Sequence, residues 1–117
     1  MNPGAPHGSG HWLAQRITAV ALIPLGLWFI FSLATRVDLS RVAWLEFFAV
    51  PWHAAAAGLF LLVLFYHSYL GVRVVIEDYV HERWRERMLR LLSGILHLAG
   101  AAAGVFSVIK IATGAGA

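Results

Sequence analysis

Apolar residues gather into three long runs, separated by segments rich in charge or in Gly and Pro. Residues 17–34 form the first, 18 residues without a charge. Residues 54–72 form the second, 19 residues that continue past Arg73 to Ile76. Residues 91–109 form the third, also 19 residues, extendable to Leu89 and Ile111. At 1.5 Å rise each run covers about 27–29 Å, close to the ~30 Å hydrocarbon core of a bilayer. Only a helix satisfies its own backbone across that distance in lipid. The pattern therefore predicts an all-α membrane protein with three transmembrane helices, at about 17–34, 54–76 and 89–111, and a charged loop at about 77–88. Pro51 falls at a natural first-turn position, whereas Pro24 lies inside the first span and should kink it. Gly100 and Gly104 are four residues apart on the third span, a face on which another helix can approach closely. Residues 1–10 are rich in Gly, Pro and Ser and are expected to be poorly ordered.

Composition narrows the class further. The chain has 117 residues, the size of one domain. It is 60% hydrophobic and 13% charged, about half the usual charge of a soluble domain. Its mean hydropathy is +0.73. These values argue against a soluble enzyme, a disordered tail or a nucleic-acid binder. Without cysteine there is no disulfide framework, no cysteine-ligated iron–sulfur cluster and no thiol nucleophile.

Charge sets the expected orientation. Arg16 before the first span, with Arg73, Arg83, Arg85, Arg87 and Arg90 between the second and third, makes six basic residues on one side. Arg36, Arg41 and Lys110 make three on the other. The side richer in Lys and Arg is usually cytoplasmic, so the N-terminus is assigned there. The first run lacks a small-residue cleavage site and two more spans follow, so it is read as a retained helix rather than a signal peptide. Trp12, Trp44, Trp52 and Trp84 fall near the proposed interfaces, where indole rings favour the headgroup zone. The basic pI of about 10.0 reflects arginines placed to meet anionic headgroups or a cytoplasmic partner rather than nucleic acid. Arg36, Asp38, Arg41 and Glu46 read as solvated outer-loop residues.

Ionisable groups inside a bilayer are costly and mark function by default. His67 lies about 13 Å from the cytoplasmic end of its span and His97 about 12 Å from the same side. A neutral imidazole can ligate a metal through one nitrogen while the other donates a hydrogen bond. It can equally serve only to bond a neighbouring helix, and for His67 the residues alone leave both readings open. Gly71, one turn on, would leave room for a flat macrocycle. His97 reads as a packing residue, with Ala and Gly around it and no further polar partner. At the end of the second span stand Glu77, Asp78 and Tyr79. A phenol beside a carboxylate could donate to a quinone carbonyl at the membrane surface, but on the residues alone a helix end with a belt tyrosine and solvated acids is the favoured reading.

The run His67-Ser68-Tyr69-Leu70-Gly71-Val72-Arg73-Val74-Val75-Ile76-Glu77-Asp78-Tyr79-Val80-His81 resembles the second helix of the succinate dehydrogenase hydrophobic membrane anchor subunits, the D-type small subunits of respiratory complex II. The family pattern is a histidine, a glycine four residues on, and an Asp-Tyr pair eleven and twelve residues after the histidine; all three features stand in this sequence. The stretch His11-Trp12-Leu13-Ala14-Gln15-Arg16-Ile17-Thr18-Ala19-Val20-Ala21-Leu22-Ile23-Pro24-Leu25 looks like that family's first helix, especially in the bacterial branch nearest mitochondria. The likeness extends from about Trp12 to Ile111.

The resemblance implies a chain in the bacterial inner (cytoplasmic) membrane that packs against a second three-helix subunit, the cytochrome b556 subunit. Together they would anchor a flavoprotein subunit and an iron–sulfur subunit. It implies one haem b shared between the two anchor subunits, with His67 as one axial iron ligand. Tyr79 would hydrogen-bond a carbonyl of ubiquinone, with Asp78 beside it, and Arg16 would sit near the haem propionates and the quinone. Three rivals stand beside it: a purely structural anchor of a haem-free or fumarate-reducing complex, a two-haem cytochrome using both His67 and His97, and a small transporter. The transporter is disfavoured because all six acidic residues lie outside the apolar runs.

Overall fold

The computed structural model describes residues 6–114. Four helices account for nearly all of them: α1 (Pro6–Ala34), α2 (Arg41–Ala49), α3 (Pro51–Tyr79) and α4 (Arg83–Ala112). Three of these, α1, α3 and α4, are long and apolar enough to cross a membrane. The chain is thus an all-helical, multi-pass membrane protein.

The spans are longer than their apolar runs. α1 begins at Pro6, although residues 6–10 belong to the segment expected to be poorly ordered; residues 1–5 lie outside the described residues. Proline suits a first helical turn, and extending an existing helix adds a bond for each residue fixed. α1 also continues through Pro24. α3 runs to Tyr79 and α4 starts at Arg83, so the turn is residues 80–82 rather than about 77–88. Ion pairs explain this extension past the apolar region. Arg73 meets Glu77 at 3.0 Å one turn on, and Arg90 meets Glu86 at 3.3 Å and reaches Glu77 on α3 at 3.8 Å. Arg and Glu are good helix formers, and such i,i+4 pairs support helical structure in water.

The short helix α2 is absent from the apolar pattern. It is started by local hydrogen bonds: the Asp38 carboxylate accepts from the Ser40 backbone N–H at 2.8 Å, and the Ser40 hydroxyl accepts from the Ala43 N–H at 3.3 Å. Bonding to Ser40 holds the Asp38 carboxyl below the usual aspartate range. Arg36 is not a solvated loop residue. Its Nη2 donates to the Ala43 carbonyl at 2.8 Å, and its guanidinium lies over Trp44 at 4.5 Å and Phe47 at 4.7 Å. The planar cation suits aromatic faces and a carbonyl together. His53 completes this end, stacked on Phe47 at 4.1 Å with Nδ1 2.9 Å from the Phe47 carbonyl.

α3 is the middle of the layer. α1 packs on it through Phe29 and Phe60, whose rings stack 5.3 Å apart. α4 packs through its small residues in a constant antiparallel register. A methyl group on Gly100 would stand 2.5 Å from the Phe65 ring, and one on Gly104 would stand 3.1 Å from Leu61. These two glycines admit the bulky residues of α3 (Phe65 and Leu61). α2 lies against α3 and α4, whereas the backbones of α1 and α4 stay apart among the described residues. The spans therefore form an open layer. Ala57, Leu70 and Ile76 are the only buried apolar residues among those described, and large side chains such as Val20, Phe31, Leu98 and Phe106 are about two-thirds exposed or more. Apolar faces on that scale require lipid or another protein.

Candidate functional site

His67 sits near the middle of α3, half-buried on the side packed against α1. Its Nδ1 lies 2.9 Å from the hydroxyl of Thr18 on α1. Thr18 is itself buried, and its hydroxyl is 2.8 Å from the Ala14 carbonyl and 3.0 Å from the Gln15 carbonyl. No other hydrogen bond to the His67 ring is present among the described residues. Gly71 follows one helical turn later with open space where a Cβ would be. Packing within the chain therefore does not require glycine there, in contrast to Gly100.

Asp78 and Tyr79 stand on the same unbroken helix. Asp78 is eleven residues beyond His67, about 16 Å along the axis and only about 20° around it. Tyr79 is 78% exposed at the helix end. The acidic tripeptide divides in two: Glu77 is tied to Arg73 and Arg90, while Asp78 and Tyr79 make no hydrogen bond or ion pair among the described residues. Arg16 is not brought near His67 through Thr18. It is two residues earlier, about 160° around α1 on the shorter side, and its guanidinium lies 5.5 Å over the Trp12 ring.

The His97 environment differs from its sequence reading, which gave it no polar partner. Nδ1 lies 2.8 Å from the Ser93 carbonyl and 3.2 Å from the Ser93 hydroxyl, and Nε2 lies 3.0 Å from the Ser68 hydroxyl on α3. Both ring nitrogens are engaged, so His97 has no lone pair to spare for a metal in this arrangement. It borders an apolar furrow of about 280 Å³ between α3 and α4, with Phe65, Tyr69 and Leu98 among its walls. Neither Asp78 nor Tyr79 lines that furrow. Among the described residues, no three metal-ligating side chains gather at one point. His67 could give a metal one ligand, and a second would have to come from another chain.

The sequence reading missed Thr18, Ser68 and Ser93 as partners. Hydroxyls within apolar runs were the available signal, because such groups need an acceptor in lipid. Antiparallel pairing of the first two spans brings Thr18 and His67 together.

An open layer of three spanning helices, with two histidines each bonded across a pair of them and a free Asp-Tyr pair at one rim, defines the integral-membrane subunit class rather than a self-contained soluble enzyme. The family model for succinate dehydrogenase/fumarate reductase transmembrane subunits matches residues 2–109, and this chain belongs to that family. It is similar to the succinate dehydrogenase hydrophobic membrane anchor subunits of Rickettsia prowazekii (38% identical over 76 residues, 63% of this chain and 59% of the relative) and Rickettsia typhi (37% over 76 residues, with the same shares). The match thus spans about three-fifths of the length of these relatives. Likeness to the Paracoccus denitrificans anchor subunit is 32% over 113 residues, 96% of this chain and 87% of the relative.

Proposed function

We propose that this chain is the membrane-anchor subunit of a succinate:ubiquinone oxidoreductase of the bacterial inner membrane, with its N-terminus and arginine-rich turn on the cytoplasmic side. It shares one haem b with a cytochrome b556 subunit and holds the flavoprotein and iron–sulfur subunits at the membrane. His67 would give the haem iron a nitrogen ligand, Tyr79 and Asp78 would meet the ubiquinone headgroup, and Arg16 would contribute positive charge on the same side. The observation that carries this reading is the state of His67: one nitrogen bonded to Thr18, the other without a hydrogen-bond partner among the described residues, and open space at Gly71 one turn away.

The residues present fit the group. An imidazole with its distal nitrogen hydrogen-bonded is the common form of a metal-ligating histidine. When bound, the haem supplies one-electron redox chemistry between its two iron states. The chain's own part is binding and orientation. His67 holds the iron side, and the roughly 16 Å of α3 beyond it places Asp78 at the rim. There the Tyr79 hydroxyl donates to a quinone carbonyl, and the Asp78 carboxylate orients that hydroxyl or relays protons. Neither residue has a competing partner among those described.

Co-purification tests the assignment. The tagged chain, extracted in mild detergent, should bring with it a flavoprotein, an iron–sulfur protein, a second three-helix polypeptide and haem in one-to-one ratio with the pair. A colourless chain isolated without a flavoprotein would overturn the proposal, and two haems per pair would transfer the case to the two-histidine cytochrome.

A further inference from the structure

We infer that Thr18 is the positioning residue of His67: its hydroxyl fixes the ring as the Nδ1–H tautomer and so leaves the Nε2 lone pair for the haem iron. This rests on the reading of His67 as a ligand and adds to it a residue of a different helix.

Counting protons at the Thr18 hydroxyl fixes the direction of its contact with His67. A threonine hydroxyl has a single proton and can accept in addition. Two backbone carbonyls of α1, those of Ala14 and Gln15, lie 2.8 and 3.0 Å from the Thr18 oxygen, and a carbonyl can only accept. The proton goes to them, as in the common back-bonding of a helical Thr to the preceding turn. At the 2.9 Å contact with His67 the oxygen is then the acceptor and Nδ1–H the donor. A neutral imidazole carries one N–H, so Nε2 holds the lone pair.

His97 gives the contrast. Its Nδ1 also faces an acceptor, here the Ser93 carbonyl, but its Nε2 is engaged by the Ser68 hydroxyl. The two intramembrane histidines therefore share a tautomer and differ in what remains free. An acceptor on the distal N–H also raises the basicity of a ligating imidazole and fixes its ring plane. A more basic ligand favours the ferric form, so the Thr18 contact lowers the haem potential.

The test uses the complete complex in its native membrane, with Thr18→Val, Thr18→Ser, Thr18→Ala and His67→Ala. The readouts are the haem midpoint potential from a redox titration and the haem retained per flavin after detergent extraction. Thr18→Val keeps the shape and removes the hydroxyl. It should raise the midpoint potential and weaken haem retention by about tenfold or more, while Thr18→Ser stays near wild type. If Thr18→Val does not assemble, the Ser and Ala variants, matched in size, isolate the hydroxyl. A purely structural contact would lower the yield of complex but leave the potential of the assembled fraction unmoved. Wild-type potential and retention in Thr18→Val, or equal values in the Ser and Ala variants, would overturn the inference and leave the ligand reading standing. Wild-type haem content in His67→Ala would instead overturn the ligand reading itself.

Discussion

Tyr79 and Glu77 are two residues apart, yet the fold gives them different work. Glu77 is held by arginines of α3 and α4 and joins the helix ends. Exposed pairs of this kind contribute at most about 1 kcal/mol. Tyr79 is bare, with a hydroxyl free to meet a ligand. Tyr79→Phe should therefore slow ubiquinone reduction by about 10²–10⁴-fold, the range for a positioned proton donor. Succinate oxidation with a soluble artificial acceptor should survive; equal loss in both assays would make Tyr79 an assembly residue. Asp38 allows a pH argument. Its folded pKa is depressed by hydrogen bonding to Ser40, so its stabilising effect is present above the ordinary aspartate value and is lost as pH falls through the folded one. Amide protection at the start of α2, taken relative to the pH-dependent intrinsic exchange rate, should fall on acidification, and Asp38→Asn should remove that dependence. His67 was legible in the sequence as a costly polar group at a defined depth. The roles of the two histidines were not, because they depend on serine and threonine hydroxyls supplied partly by neighbouring helices.

Among the elements, the spans themselves were the most legible. Long uncharged runs report directly on membrane helices, since lipid leaves the backbone little choice. Their ends were less so. The ion pairs of Arg73, Glu77, Glu86 and Arg90 carry helix beyond the apolar region, and hydropathy does not see them. α2 was missed because its start is set by Asp38 and Ser40 and its apolar content is too short to register. The glycines separate by element contact. Gly100→Ala pushes a methyl against Phe65 and should destabilise the α3–α4 pair by about 1–3 kcal/mol, lowering the thermal midpoint of the detergent-solubilised complex. Gly71→Leu enters open space in this chain. It should leave that midpoint near wild type but reduce haem content, the outcome expected if that space holds the proposed cofactor. An unchanged haem-to-flavin ratio would remove Gly71 from the site.

As a whole the molecule is an open layer measuring 54 × 26 × 20 Å, with α1 and α4 on either side of α3 and their backbones apart among the described residues. Such a layer has too little interior to enclose a macrocycle or a quinone, which is why the account needs a second membrane subunit. Under the proposed function, its arginine-rich rim would be the attachment surface for the soluble subunits. Arg83 and Arg87 make no ion pair among the described residues, and Arg85 pairs only with Glu82 in an exposed contact. Reversing the charge of Arg83, Arg85 and Arg87 together should release the flavoprotein and iron–sulfur subunits from membranes at lower salt than in the wild type. The most direct test of the central claim is the reduced-minus-oxidised optical spectrum of the purified complex carrying His67→Ala. Loss of the b-type haem signal, with the flavoprotein still attached, is the predicted result. An unchanged spectrum would contradict the account and leave His67 a packing residue.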